Sequence, residues 1–229
     1  MGLDMYLERM PRYKNTTPNE IHRLRDYFEW KRKKAIPESG ARGCTLKKWC
    51  GVDYKDVPTG DVREFYAKHF VMKPYDWDTE AKYGLHGRIA EEVGYWRKAN
   101  QIHNWFVENV QDGVDDCNYH NEVTKVDLEY LLSVCKKVLD SCELVNGKIT
   151  NGYSFNKDGT KNPILEDGQY VKDSSIAERL LPSTCGFFFG STDYDQYYVD
   201  DIKHTIDIIT KVLETTDFEK QMIYYVSSW

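Results

Sequence analysis

The sequence predicts an α+β domain, a small and mostly antiparallel sheet packed with several helices. Three observations predict it. Residues 2–9 alternate apolar and polar side chains with period two. Three later stretches repeat apolar residues at helical spacing, and short apolar runs near Phe187 and Ile223 suit buried strands. At 229 residues the chain reads as a single domain over 1–229 with an irregular insert at about 38–87.

In chain order, Leu3, Met5 and Leu7 alternate with Asp4, Tyr6 and Glu8, a strand with one buried face that Pro11 ends. Thr17 and Pro18 open a helix, with Pro at the first helical position and Ile21, Leu24 and Phe28 along one side. The stretch from Glu38 to Gly87 is rich in Gly and Pro and is read as irregular, apart from a short helix near Asp61 to Phe70. Glu91 to Val110 fits a single amphipathic helix that Asp112 and Gly113 stop. Thr124 and Asp127 have capping-box spacing before a second helix that runs to Ser141. Asn146-Gly147 is a hairpin-turn signal, Asp158-Gly159 another, with a short strand between them. Ser174 to Leu181 reads as a short helix stopped by Pro182, and Cys185 to Gly190 as a buried strand. Thr192 and Asp195 repeat the capping-box spacing ahead of a long helix through Leu213, and Met222 to Val226 is the last strand.

Charge is unevenly spread. The net charge is −6, yet Glu8 to Cys50 holds 12 Lys/Arg against 5 Asp/Glu. Such a basic arm suits a nucleic acid or the acidic remainder of the chain itself. Seventeen Tyr and 6 Trp exceed ordinary use and point to an amphipathic cavity or contact surface. With 6 Cys but no Cys-x-x-Cys, no signal peptide and no spanning apolar run, the chain reads as cytoplasmic, without a membrane contact and with reduced thiols.

On a helical wheel the 91–110 stretch aims Glu92 and His103 from its apolar arc beside Trp96, with Asn100 at the edge. Buried polar groups need partners, so this face marks the expected site. Three further constellations join it. Asp115 and Asp116, with Cys117 and His120 nearby, could hold a hard cation or bond backbone amides. Ser191 and Thr192 at a helix start could hold an anion, although Asp193 and Asp195 oppose phosphate there. Tyr194, Tyr197 and Tyr198 could stack on a base. The site is therefore expected at Glu92, Trp96, Asn100, His103, Asp115, Asp116, Ser191, Thr192 and Tyr194, with no metal and no cofactor. No nucleophile elbow or comparable catalytic signature is present, and no catalytic residue is assigned.

Met1 to Leu7, Glu91 to Cys117, Gly186 to Tyr198 and Tyr224 to Trp229 together cover about a third of the chain. In that order they resemble a group of phage and prophage proteins common in Gram-positive hosts. These begin MGLDMYL, carry an EExxYWRKAN-x-IH-x-WFV block, continue to GFFFGSTDYD and end near SSW. Members are sometimes labelled phosphoglycerate kinase, but this chain is too short for a two-domain kinase and has no G-x-x-x-x-G-K-[ST] loop. The resemblance implies a viral protein in the cytoplasm of a host cell. Three functions are expected from residues and resemblance together. One is a binding protein for a small polar or nucleotide-type ligand, sequestering a host defence signal. Another is an inhibitor that binds a host defence protein or nuclease directly. The third is a hydrolase or transferase on a phosphorylated substrate, using His103 and Glu92. A homo-oligomer is compatible with each.

Overall fold

The computed structural model of the chain describes residues 2–12, 71–73, 86–88, 90–157, 160–186 and 189–229. The chain divides into two compact units, Met1–Arg9 with Glu92–Trp229, and Met10–Glu91. The helices expected at 17–35 and 61–70 lie outside the described residues, as do the Asp158-Gly159 turn and Phe187. Within the second unit, β2 (Val71–Lys73) and β3 (His86–Arg88) form an antiparallel pair with Val71 opposite Arg88. Two strands thus occur inside the stretch read as irregular.

The first unit is α+β. Its main sheet orders β4 (Glu91–Arg97), β1 (Asp4–Pro11) and β7 (Gln221–Ser228), with β1 central. Alternation buries Leu3, Met5 and Leu7 of β1 completely. Four helices complete the unit: α1 (Asn100–Val110), α2 (Lys125–Ser141), α3 (Ser175–Leu180) and α4 (Gln196–Thr215). Their apolar residues, among them Ile102, Phe106, Leu128, Leu131, Ile202 and Ile209, join the strand residues in one core. Among the described residues no helix is long and apolar enough to cross a membrane.

The single helix expected over 91–110 is a strand, a turn and a helix. Gly94 is the physical reason for the strand. A Cβ built there would meet Ile208 Cγ2 of α4 at 2.6 Å and Leu7 Cβ at 3.4 Å, so the missing side chain lets α4 lie close on the sheet. Lys98 then turns the chain with a left-handed φ of 62°. Ala99, at φ −74° and ψ 71°, makes an inverse γ-turn closed by Asn100 N–H donating to Lys98 O at 2.8 Å. The helix that follows is buried along most of its circumference, as a helix in the middle of a core must be.

The capping box at Thr124 and Asp127 forms as expected, each side chain bonding the other's backbone N–H. The Asn146-Gly147 hairpin does not form. Both residues lie inside β5 (Leu144–Phe155), opposite Gln169 and Gly168 of β6 (Lys161–Val171). This long antiparallel ribbon was invisible as a pair because β6 is mostly polar and carries no clean alternation. The strand expected over Cys185 to Gly190 is also corrected: its described residues form no strand, and Cys185 is exposed.

Candidate functional site

The expected site separates into three places. Glu92 is exposed on β4 and shares no helix face with His103. Trp96 belongs to the core, 1 % exposed, with its indole N–H donating to Thr205 Oγ1 at 2.9 Å and so tying β4 to α4. The imidazole of His103 is sealed. Its Nδ1 lies 2.7 Å from the Tyr225 hydroxyl and its Nε2 lies 3.0 Å from Asp115 Oδ1. The Phe189 ring meets it edge-on at 5.1 Å. Asp115 Oδ1 also accepts from the Trp229 indole at 3.1 Å, which fastens the last residue of the chain to the loop after α1. Burial pushes the His103 imidazole down, and the Asp115 carboxylate only partly opposes it.

Asp116 faces other partners. Its Oδ1 accepts from Asn118 N at 2.8 Å and lies 2.7 Å from His120 Nε2. Burial disfavours its charge, but the bonds from Asn118 and His120 outweigh that and hold the carboxyl below its usual range. Among the described residues no group of three or more His, Cys, Asp or Glu side chains could hold a metal ion.

Ser191 and Thr192 do not start a helix. The helix begins at Gln196, where Asp195 caps it by accepting from Tyr197 N at 2.9 Å and Tyr198 N at 3.2 Å. A carboxylate already occupies the amides that were expected to hold an anion, which removes that reading. Ser191 Oγ instead accepts from Asp193 N at 3.0 Å, and Thr192 is exposed. Tyr194 is a brace: its hydroxyl accepts from Ser183 N at 3.2 Å and its ring meets Tyr198 at 4.8 Å.

Asn100 and Ser191 do come together, in the wall of a cleft of about 770 Å³. That volume lies within the range of small-ligand pockets. Asn100 shapes the wall rather than waiting for a ligand. Its amide donates to Phe189 O at 3.2 Å and Ser191 O at 2.7 Å, and its Oδ1 accepts from Thr184 N at 2.9 Å. Gly190, at φ 95°, lets this loop press on Lys98, whose Cβ would lie 3.2 Å from a Cβ placed there.

Other parts of the wall were not singled out from sequence. Arg97 is the last residue of β4, Lys98 follows it in the turn, and Gln101 comes from the first turn of α1. On a single helix over 91–110 all three would fall on the polar arc, away from Trp96. The lining also includes Asp195, Tyr197 and Asp201 from the start of α4, and Asn151 to Tyr153 from β5. The β5–β6 register shifts between Thr150 and Tyr153, and Gly152 takes φ 96°, so a bulge aims this piece of the ribbon. Glu166 fixes it by accepting from Asn151 Nδ2 at 2.7 Å and from the Tyr197 hydroxyl at 3.1 Å.

Two acids in this wall are electrostatically unusual. Asp195 is 2 % exposed, and its Oδ2 has no hydrogen-bond partner. Burial raises its carboxyl above the usual range against its two backbone bonds. Asp201 Oδ2 accepts from Gln101 Nε2 at 3.2 Å, yet burial still pushes its carboxyl up to about 6. The signal that could have found this wall was Gly94 in the middle of an apolar stretch, since a strand ending at Arg97 puts Lys98 into a turn instead of on a helix face.

Comparison with protein-family models, with curated proteins and with solved structures finds no match for the chain.

Proposed function

We propose that the chain is a binding protein for a small polar ligand of the nucleotide type, taken up in the cleft beside Asn100. One observation carries this reading: a buried carboxylate oxygen, Asp195 Oδ2, stands without a donor in the wall of a ligand-sized cleft. An unpaired buried polar atom is costly, and native proteins retain few of them. A ligand donor relieves the cost. With the resemblance to phage proteins, this supports a viral protein in the host cytoplasm that sequesters a small host signal.

Mass spectrometry of small molecules released from the protein purified out of infected cells tests the reading. A stoichiometric polar ligand is expected, lost when Asp195 is replaced by Asn. Protein that carries no molecule and whose melting temperature no metabolite raises would overturn it.

A second reading, direct inhibition of a host protein, draws on the β5–β6 ribbon, which exposes Ile164 at 50 % and Leu165 at 57 %. Hydrolysis or transfer by His103 and Glu92 draws no support. Both imidazole nitrogens are committed to other side chains, and Glu92 sits on an exposed strand position.

A further inference from the structure

Two separate parts of the first unit make the cleft lining. Thr150 to Tyr153 come from the β5–β6 ribbon, and the other lining residues come from 97–101 and 186–201. The ribbon is fastened to the second part at its base. Val171 N donates to Tyr194 O at 2.9 Å, Tyr170 bridges to Asp195, and Gln169 N donates to Gln196 Oε1 at 2.9 Å. Ile149 is buried there, and Gly168 makes the room. A Cβ on Gly168 would lie 2.4 Å from Ile149 Cδ1 and 3.2 Å from Gln196 Oε1. Past this base, Asn151 to Ser154 of β5 and Pro163 to Leu165 of β6 are exposed. A Cβ on Gly152 would meet nothing within 4 Å.

Glu166 stands at the boundary between anchored base and exposed arm. It lies directly opposite Ile149 in the ladder, so the two side chains share one face of the ribbon. Its carboxylate oxygens are divided. Oε2 accepts from Asn151 Nδ2 at 2.7 Å, and Oε1 accepts from the Tyr197 hydroxyl at 3.1 Å. Asn151 and Tyr197 both line the cleft, and Glu166 does not. One carboxylate therefore joins the β5 bulge to the first turn of α4 without itself facing the cleft. Hydrogen bonds to an ionised acceptor are roughly twice as strong as neutral ones. The same carboxylate raises the Tyr197 phenol above its usual range, which keeps the phenol a donor.

Resting on the small-ligand reading above, we infer that Glu166 is the positioning residue of the cleft: it holds the β5 bulge against α4 and so sets how long a small polar molecule is retained. A wall built from two elements keeps its contents only while the elements stay together. The bonds at the base of the ribbon do not involve Glu166. Its loss therefore frees Asn151 to Tyr153 and leaves the fold in place, since exposed arms open locally.

Hydroxyl-radical footprinting of the full chain, paired with release of the small molecule that the purified parent carries, tests the inference. The molecule is followed as its own mass ion through timed dialysis. Tyr153 reports on the bulge and Tyr197 on α4, being 41 % and 49 % exposed, while Tyr225, 1 % exposed, reports on the intact core. Glu166→Ala should raise labelling of Tyr153 and Tyr197 about twofold and leave Tyr225 unlabelled. It should release the carried molecule about tenfold faster. Glu166→Gln keeps an acceptor for Tyr197 and, with the Asn151 amide flipped, a bond to Asn151. It should restore both readouts towards the parent. Unchanged labelling in Glu166→Ala, or raised labelling with unchanged release, overturns the inference and leaves the small-ligand reading standing. Glu166→Gln behaving as Glu166→Ala also overturns it. If the parent carries no molecule, the small-ligand reading falls and the inference falls with it.

Discussion

The hydroxyl of Tyr225 lies 2.7 Å from Nδ1 of His103, deep under the sheet, while Asp115 Oδ1 meets the other ring nitrogen at 3.0 Å. A carboxylate can only accept, so Nε2 carries the proton and Nδ1 accepts from the phenol. Tyr225 itself stacks on Phe106, ring centroids 4.2 Å apart and 9° from parallel. This chain of groups ties β7, α1 and the loop after α1 together. Tyr225→Phe keeps the stack and strands a buried imidazole nitrogen. It should lower stability by roughly 1–3 kcal/mol in urea unfolding. Ligand affinity should be unchanged, because neither residue lines the cleft. A variant as stable as the parent would refute the assignment.

The same imidazole sets a pH dependence. Burial holds the folded-state pKa of His103 below its usual 6.5. The unfolded chain therefore takes up this proton at a higher pH than the folded chain does. Its stabilising share is complete above about 6.5 and is lost as pH falls through that value towards the folded pKa. Urea midpoints measured between pH 7.5 and 5 should decline, and His103→Asn should flatten that decline. An identical slope in the variant would show that other groups are responsible.

Asp201 works with the opposite sign. Its folded pKa of about 6 lies above the usual 3.8, so the folded chain holds the proton more tightly. Stability from this group is present at low pH and falls as pH rises from about 4 to 6. Asp201→Asn keeps an acceptor for Gln101 and removes the buried charge. It should raise stability at pH 7.5 by roughly 1–3 kcal/mol, with the gain vanishing near pH 4. Loss of stability at pH 7.5 would contradict this. A variant more stable and poorer at binding is the signature of a residue kept for its ligand.

Gly94→Ala probes the contact that turns residues 91–97 into a strand. The new Cβ would meet Ile208 Cγ2 at 2.6 Å, with Leu7 and Trp96 atoms at 3.4 Å. Overpacking should cost roughly 1–3 kcal/mol. Ile208→Ala in the same chain should recover part of that loss, which a double-mutant cycle would measure. Strict additivity of the two substitutions would place the strain elsewhere.

Of the expected site, Asn100 and Ser191 line the cleft, whereas Trp96 and His103 are sealed in the core and Glu92 lies out in solvent. The wheel over 91–110 failed for a definable reason. Its first seven residues hold only three large apolar side chains, Val93, Tyr95 and Trp96, too few to separate a period of 3.6 from a period of two. The choice was made by β1, one edge of which pairs with β4, and by α4, which needs a residue without a side chain at position 94. Misplacing that boundary put Arg97, Lys98 and Gln101 on a helix face instead of in the lining of the cleft.

Signals confined to a few neighbouring residues were readable directly: the capping box of Thr124 and Asp127, the alternation of β1, the stops at Asp112-Gly113 and Pro182. Each is a local bond or steric limit and needs no distant partner. The pairing of β5 with β6, the strand at 91–97 and the cleft itself depend on residues far apart in the chain, such as Lys98 against Gly190 and Gln101 against Asp201. Side-chain packing between distant segments overrides weak local preference, because a buried contact outweighs a propensity difference of a few tenths of a kcal/mol per residue.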